Sequence, residues 1–141
     1  MFLSLEGGEG SGKTTQIRRI SALFDARNIE YLLTREPGEG TIGQQIRAIL
    51  LNPKNEEIVP KAELLLYMAD RAQHLETVIM PALKSGKIVV CDRFFDSSAV
   101  YQGVVGRVGL KIVHLFHTVA FSNFKPDLTI LLDVPPEIGL P

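Results

Sequence analysis

The sequence predicts an α/β fold, in which helices cover both faces of a parallel sheet as a three-layer sandwich. Short apolar runs alternate with longer segments of helical periodicity along the 141 residues, and strands separated by helices form parallel βαβ units with right-handed crossovers. A glycine-rich loop joins the first apolar run to the first helical segment. Because 45% of the residues are apolar and 22% are charged, as in ordinary folded chains, we expect residues 1–141 to form a single domain.

The first half of the chain predicts two strand–helix units. The apolar residues 2–5 predict a strand, and residues 13–28 carry apolar side chains three and four positions apart, which indicates one buried helix face. Residues 31–34 predict a second strand that ends in a turn-rich stretch, and Thr41 can cap a helix over residues 41–51. The expected buried side chains of the two helices are Ile17, Ile20, Leu23, Phe24, Ile42, Ile46, Ile49 and Leu50.

The second half of the chain begins with a polar linker and then predicts a long helix over residues 61–83, which Pro81 should bend or end. The continuous apolar run 88–91 predicts a strand that is covered on both faces. Residues 110–121 predict another helix, and residues 128–132 predict the last strand. The expected buried side chains of the long helix are Leu64, Leu65, Met68, Ala72, Leu75 and Ile79.

Composition excludes several classes of function. The formal net charge is −1, which argues against binding to long nucleic acids, because such proteins usually present a net basic face. No apolar run approaches the roughly 18 residues of a membrane span. The single cysteine, Cys91, forms no internal disulfide and fits a reducing compartment, and the first residues lack the basic flank of a secretion signal. We therefore expect a cytoplasmic protein.

The glycine-rich loop has the pattern of a phosphate-binding loop, or P-loop, and predicts a site for ATP. Its glycines let backbone N–H groups turn toward phosphate oxygens, the following helix N-terminus adds partial positive charge, and Lys13 adds a full one. The Thr14 hydroxyl is placed to bind Mg²⁺. The residues expected to bind ATP are Gly7, Gly8, Glu9, Gly10, Ser11, Gly12, Lys13, Thr14 and Thr15.

A P-loop protein usually needs an acid at the end of a neighbouring strand to hold the magnesium shell. Asp92 and Asp133 both follow predicted strands, and either could also simply terminate its strand. Asp92 is the favoured candidate because Arg93 follows it, and a carboxylate for the metal beside a guanidinium for phosphate suits a transfer site. Neither Asn-Lys-x-Asp nor Asp-x-x-Gly occurs, so a guanine-nucleotide switch is not expected.

Several motifs, in this order along the whole chain, resemble those of the thymidylate kinase family. They are the P-loop followed by Thr15-Gln16, then Arg35-Glu36-Pro37-Gly38, Asp70-Arg71-Ala72-Gln73-His74, Asp92-Arg93-Phe94, Asp96-Ser97-Ser98, Tyr101-Gln102-Gly103 and Lys125-Pro126-Asp127-Leu128. The resemblance implies the reaction ATP + dTMP → ADP + dTDP with Mg²⁺. It implies catalytic roles for Lys13, Arg93 and Asp92, with Thr14 and Asp92 as the residues that hold the metal.

The resemblance also implies a binding site for dTMP. Arg47 and Arg93 resemble the pair that grips its phosphate, Tyr101 resembles the residue that packs on the deoxyribose, and Glu9 resembles the acid that approaches the 3′-hydroxyl. The base would be contacted by Tyr67, which stacks on thymine, by Arg71 and Gln102, which read its edge, and by Ser98. Glu36 and Pro37 resemble the loop wall beside the nucleotide, and their peptide bond could be cis or trans.

The sequence departs from part of the family pattern. The P-loop contains no arginine, so the resemblance implies that a further catalytic cation comes from a mobile lid beyond residues 134–140. We expect this lid and the later helices to be absent, which would leave a chain that binds dTMP and phosphates but turns over slowly or not at all. A kinase for another monophosphate such as dUMP, and a nucleotide-binding regulator without transfer activity, remain alternatives. The family usually forms homodimers, for which residues 64–79 and 110–121 could serve.

Overall fold

A computed structural model of the chain describes residues 1–140 and contains one four-stranded parallel sheet. The strand order is β2-β3-β1-β4, and all four predicted strands are confirmed. Leu3 of β1 pairs with Val90 of β3 and with Leu128 of β4, which places β1 in the interior of the sheet. The strands are β1 (Phe2–Gly7), β2 (Tyr31–Arg35), β3 (Ile88–Asp92) and β4 (Leu128–Leu132).

Helices connect these strands. The four predicted helices are confirmed, and each begins and ends within two residues of its predicted bounds. The long helix predicted over residues 61–83 is one helical run interrupted by a π-helical turn directly before Pro81, where the missing N–H removes an ordinary helical bond. The helices are α1 (Lys13–Ala26), α2 (Gly40–Leu50), α3 (Pro60–His74), α4 (Met80–Lys84), α5 (Phe95–Ser98), α6 (Leu110–Phe121) and α7 (Pro136–Gly139), with π-helical segments Leu75–Ile79 and Ala99–Val105.

The sheet is covered on both faces, which confirms the three-layer α/β arrangement. On one face Leu3, Leu5 and Val90 pack against the apolar side of α1. On the opposite face Val89 and Cys91 join a larger core with side chains from α3 and α6. Neighbouring residues of β3 therefore point into different cores, and this strand is buried on both faces as predicted.

Four side chains predicted to be buried are exposed instead, namely Leu23, Ile42, Ile49 and Leu65. In α2 the buried residue is Gly43, and a Cβ at that position would lie 2.9 Å from Asp70 Oδ1. The backbone of α2 thus lies closest to α3 at Gly43. The side chains of Ile42 and Ile49 do not enter this contact and are exposed. Among residues 1–140, no helix is long and apolar enough to cross a membrane.

The parallel sheet brings three loops to one edge. Since all strands run the same way, the carboxyl ends of β1, β2 and β3 lie together, and the register aligns Leu5 and Arg35 with Asp92. The P-loop, the segment after Arg35 and the turn at Arg93 all begin here. The crevice outside the carboxyl ends of such strands is where ligands bind in open α/β sheets.

Candidate active site

The P-loop leads directly from β1 into α1 and encloses the side chain of Lys13. The Lys13 ammonium donates hydrogen bonds to the carbonyl oxygens of Gly7 at 2.9 Å and Gly8 at 2.7 Å. Burial, and then the nearby Arg93 charge, lower the pKa of Lys13. Gly12, with φ of +91°, forms the N-cap of α1 without a side-chain cap, so the first N–H groups of the helix are not bonded to a capping side chain.

A cavity of about 410 Å³ lies between α2, α3 and the helical segments that follow β3. All ten residues that the family resemblance implied for substrate binding line it: Glu9, Glu36, Pro37, Arg47, Tyr67, Arg71, Arg93, Ser98, Tyr101 and Gln102. Leu51, Phe94 and Ser97 complete the wall and were not among the predicted site residues. Phe94 and Ser97 lie inside motifs that the sequence displays, whereas Leu51 carries no signal beyond its place at the end of a helix.

Arg71 is the most tightly held charged group of this cavity. Its guanidinium is buried, donates from Nε to Glu36 Oε2 at 2.8 Å and from Nη2 to Ser98 Oγ at 2.9 Å, and lies 4.7 Å from the ring centroid of Phe94. Within the described residues Nη1 is a buried donor without a partner. Because buried donors are nearly always hydrogen-bonded, this atom is a candidate to bind a ligand in the cavity.

Glu36 and the loop that follows it are held by groups from α2 and α3. Glu36 Oε1 lies 3.0 Å from His74 Nδ1, and His74 Nε2 lies 2.6 Å from Thr34 Oγ1. The Glu36–Pro37 peptide bond is cis, which sequence reasoning left open. Arg47 donates to the Pro37 carbonyl at 2.7 Å. The arginine therefore stabilises the loop at Pro37, and both residues line the cavity.

Asp70 pins the next residue of that loop, since its Oδ1 accepts a hydrogen bond from the Gly38 N–H at 3.0 Å. Its Oδ2 is buried without a partner among residues 1–140. Burial, and then the neighbouring charge of Glu36, raise the pKa of Asp70 to about 6. The ionised form of this carboxyl therefore costs folding free energy at neutral pH.

Replacing Asp70 with Asn should change how stability depends on pH. The folded-state pKa is raised, so the protein binds an extra proton between about pH 4 and about pH 6, and the wild type loses stability relative to Asp70→Asn as pH rises through this window. The relative loss should be on the order of 2–3 kcal/mol and level off above about pH 7. Urea unfolding of both proteins from pH 4 to 8 measures it, with exposed Glu57→Gln as the control. Parallel curves for wild type and Asp70→Asn would contradict the assignment.

Arg93 lies on a tight turn directly after β3, with a positive φ of 71° that side-chain-bearing residues rarely adopt. Its Nη1 donates to Ser97 Oγ at 3.2 Å, and the guanidinium lies 5.4 Å from the Tyr101 ring centroid. Arg93 also lines a second hollow of about 260 Å³ that reaches Gly7 and Gly8 of the P-loop. The guanidinium thus faces both the P-loop and the larger cavity.

Glu6 holds this turn in place from the end of β1. Its carboxylate accepts hydrogen bonds from the Phe94 N–H at 2.7 Å and from the Ser97 hydroxyl at 2.6 Å. Burial raises the pKa of Glu6. Ser97 therefore joins the carboxylate of Glu6 to the guanidinium of Arg93, a link that the motifs did not reveal because Glu6 and Ser97 are 91 residues apart.

Removing the Ser97 hydroxyl should loosen Arg93 without unfolding the turn. In Ser97→Ala the Glu6–Phe94 hydrogen bond remains, but the guanidinium loses one acceptor and becomes more mobile. For the phosphoryl transfer that the family resemblance implies, we expect kcat/KM to fall about tenfold, which corresponds to about 1.4 kcal/mol of transition-state stabilisation. Steady-state kinetics check this, with Ser85→Ala, at an exposed position after α4, as the control. A loss of thermal stability with unchanged kcat/KM would assign Ser97 to folding alone.

Asp92 and Thr14 are the residues predicted to hold a magnesium ion. Asp92 Oδ1 is buried and has no hydrogen-bond partner within the described chain, whereas Asp133 is exposed. Among residues 1–140, no group of three or more His, Cys, Asp or Glu side chains could hold a metal by itself, His114 and His117 included. This sparse set fits Mg²⁺, which is usually bound by one or two carboxylates together with waters and substrate phosphates.

Comparison with known proteins places these features in a family. The family model described as thymidylate kinase matches residues 5–141. The thymidylate kinase of Desulforapulum autotrophicum is 51% identical over 140 residues, 99% of this chain and 62% of the relative, and that of Syntrophotalea carbinolica is 52% identical over 139 residues, 99% of this chain and 64% of the relative. The crystal structure of thymidylate kinase from Ehrlichia chaffeensis superposes with a TM-score of 0.82 at 33% identity, covering 97% of this chain and 78% of that one. The chain thus spans somewhat under two thirds of the length of these two sequence relatives.

Proposed function

Because this chain belongs to the thymidylate kinase family, we propose that it transfers the γ-phosphoryl group of ATP to dTMP, giving ADP and dTDP. One observation carries the proposal. The cavity that contains every residue expected to bind dTMP shares Arg93 with the hollow that reaches the P-loop. Two polyanionic substrates bound at these places would meet at one guanidinium.

The P-loop would bind the phosphates of ATP. Lys13 would exchange its hydrogen bonds to the Gly7 and Gly8 carbonyls for phosphate oxygens, and the N–H groups at the start of α1 would add theirs. Mg²⁺, when bound, would neutralise charge on the phosphates, with the Thr14 hydroxyl and the Asp92 carboxylate holding it or its waters. Thr14 and Thr15 are exposed on the first turn of α1, where a ligand can reach them.

The larger cavity would bind dTMP. Arg47 and Arg93 would hold its phosphate by charge-assisted hydrogen bonds, and the ring of Tyr67 would stack on the base. The free Nη1 donor of Arg71 would bind a carbonyl oxygen of thymine. The remaining wall would consist of Glu9 and Tyr101 at the sugar, Gln102 and Ser98 at the base, and Glu36 with Pro37 beside the nucleotide.

The chemistry requires alignment rather than a general base. An oxygen of the dTMP phosphate attacks the γ-phosphorus, the bond from that phosphorus to the β–γ bridging oxygen breaks, and ADP leaves. A phosphate oxygen is already a nucleophile near neutral pH, so the protein needs only to orient both substrates and to neutralise the charge that spreads over the transferred group. Lys13 and Arg93 are the cations placed for this.

A coupled assay of ADP release tests the function directly. With ATP and Mg²⁺ present, dTMP should stimulate ADP release more than dUMP, dGMP, AMP or CMP do. If another monophosphate stimulated ADP release more than dTMP does, that monophosphate would be the substrate instead of dTMP. ATP binding without any dependence of ADP release on a monophosphate would favour the alternative of a nucleotide-binding regulator, and calorimetry with dTMP would show whether the cavity binds its nucleotide.

We also propose that the protein forms a homodimer through its exposed apolar helix faces. Leu65 of α3 and Ile112, Leu115 and Phe116 of α6 are all exposed, and contiguous exposed apolar surface commonly marks an interface. Light scattering coupled to gel filtration should give twice the chain mass of 15.6 kDa. A single-chain mass at micromolar concentration would contradict the proposal.

A further inference from the structure

Gln102 is buried and lines the cavity, and its orientation is determined by an acid outside the wall. Gln102 lies in the π-helical segment Ala99–Val105, is 3% exposed, and donates from Nε2 to Glu63 Oε1 at 2.7 Å. Glu63 lies in the first turn of α3. The contact joins two elements that are 39 residues apart.

This contact allows only one orientation of the Gln102 amide. An ionised carboxylate accepts hydrogen bonds and donates none, so the NH₂ group of the amide must face Glu63. Because Gln102 lines the cavity, its Oε1 is then the amide atom that can accept a hydrogen bond from a ligand there. The cavity wall therefore presents an acceptor at Gln102 and a donor, the unpartnered Nη1, at Arg71.

This pairing of donor and acceptor matches one class of pyrimidine. Thymine and uracil carry an acceptor at O4 beside the N3–H donor, which complements the Arg71 donor and the Gln102 acceptor. Cytosine carries the reverse pattern, a 4-amino donor beside the N3 acceptor. With the amide held in this orientation, the cytosine 4-amino donor would face the Arg71 donor, and the cytosine N3 acceptor would face the Gln102 acceptor. A site that leaves buried polar groups unpaired in this way rejects its ligand strongly.

We propose that Glu63 is a specificity-determining residue, which fixes the direction of the Gln102 amide and so makes the site select 4-oxo pyrimidine nucleotides over 4-amino ones. The inference rests on the proposed function, since it assigns the base edge that the dTMP cavity reads. Glu63 does not line the cavity, and its effect is transmitted through Gln102.

Two variants of Glu63 test the direction of the amide. In Glu63→Gln the new amide can donate or accept, so Gln102 is free to turn. In Glu63→Lys the ammonium can only donate, so it favours Gln102 Oε1 and turns the NH₂ group toward the cavity. Exposed Glu76→Gln, in the π-helical turn after α3, is the matched control because it removes a similar carboxylate away from Gln102.

The measurement is the ratio of the dissociation constants of dCMP and dUMP, obtained from competition titrations against dTMP with the full chain. These two nucleotides both lack the thymine methyl group, so their ratio reports only the base edge. The preference for dUMP should fall about tenfold or more in Glu63→Gln and further in Glu63→Lys, and it should stay unchanged in Glu76→Gln. ATP affinity, measured in parallel, confirms that each variant is folded.

The outcomes separate this inference from the proposed function. If the wild type binds dTMP but both folded variants keep the wild-type ratio, or weaken dUMP and dCMP equally, the assignment to Glu63 is wrong and the kinase proposal stands. A wild type that binds dTMP without preferring dUMP to dCMP overturns the inference as well. If the wild type binds no dTMP, the proposed function fails and this inference fails with it. Should Glu63→Lys unfold, the ratio in Glu63→Gln decides alone.

Discussion

Replacing Lys13 with Ala should reduce the phosphoryl-transfer rate about 100- to 1,000-fold and weaken ATP binding about tenfold or more. The ammonium is held inside the P-loop by the Gly7 and Gly8 carbonyls, within reach of any phosphate that the loop binds. Its charge is the largest that the loop offers to a developing transition state. Calorimetry with ATP and steady-state measurement of kcat give the two numbers.

The control for this variant is Lys84→Ala, because Lys84 is an exposed lysine at the end of α4. It should leave ATP affinity and kcat unchanged. Affinity for dTMP in Lys13→Ala should also stay near that of the wild type, since Lys13 does not line the cavity that we propose binds dTMP. An unaltered affinity of Lys13→Ala for ATP would refute the P-loop as the donor site.

Replacing Arg71 should raise KM for dTMP about 100-fold while KM for ATP changes little. Arg71 offers the cavity its free Nη1 donor, and a buried charged hydrogen bond to a ligand contributes about 2–3 kcal/mol. Truncation to Ala would also leave Glu36 buried without its guanidinium partner, at a cost of about 3–5 kcal/mol in the free energy of unfolding.

Arg71→Lys separates these two effects. Lysine keeps a positive charge beside Glu36, but its single ammonium cannot replace a guanidinium that binds Glu36, Ser98 and a ligand at once. This variant should therefore fold, bind ATP normally and bind dTMP poorly. Arg27→Ala, at an exposed position where α1 ends, is the control. Equal increases in both KM values would count against the role of Arg71 at the base.

Sequence periodicity predicts helical features poorly where they depend on contacts with another helix or where the segment is short. Periodicity gave Ile42 and Ile49 a place on the buried face of α2, yet the close approach of Gly43 to Asp70 turns both side chains outward. The segment after Arg93 forms a four-residue α-helix and π-helical turns, which have no 3.6-residue pattern for a sequence to display. The exposure of Ile42 and Ile49 follows from packing between α2 and α3, which a local stretch of sequence does not contain.

The sequence by itself determined the fold class and the P-loop, and its resemblance to the family identified ten of the thirteen residues that line the large cavity. These features are local strings, namely apolar runs, a glycine pattern and short motifs, and the parallel sheet then carries the ends of the strands to one edge. Tertiary structure alone decided how the side chains are held: Glu6 and Ser97 at the Arg93 turn, Asp70 beneath Gly38, and Glu63 behind Gln102. These contacts join residues 32–91 positions apart, and hydrogen bonds at such separations depend on the three-dimensional register of the elements, which no sequence pattern records.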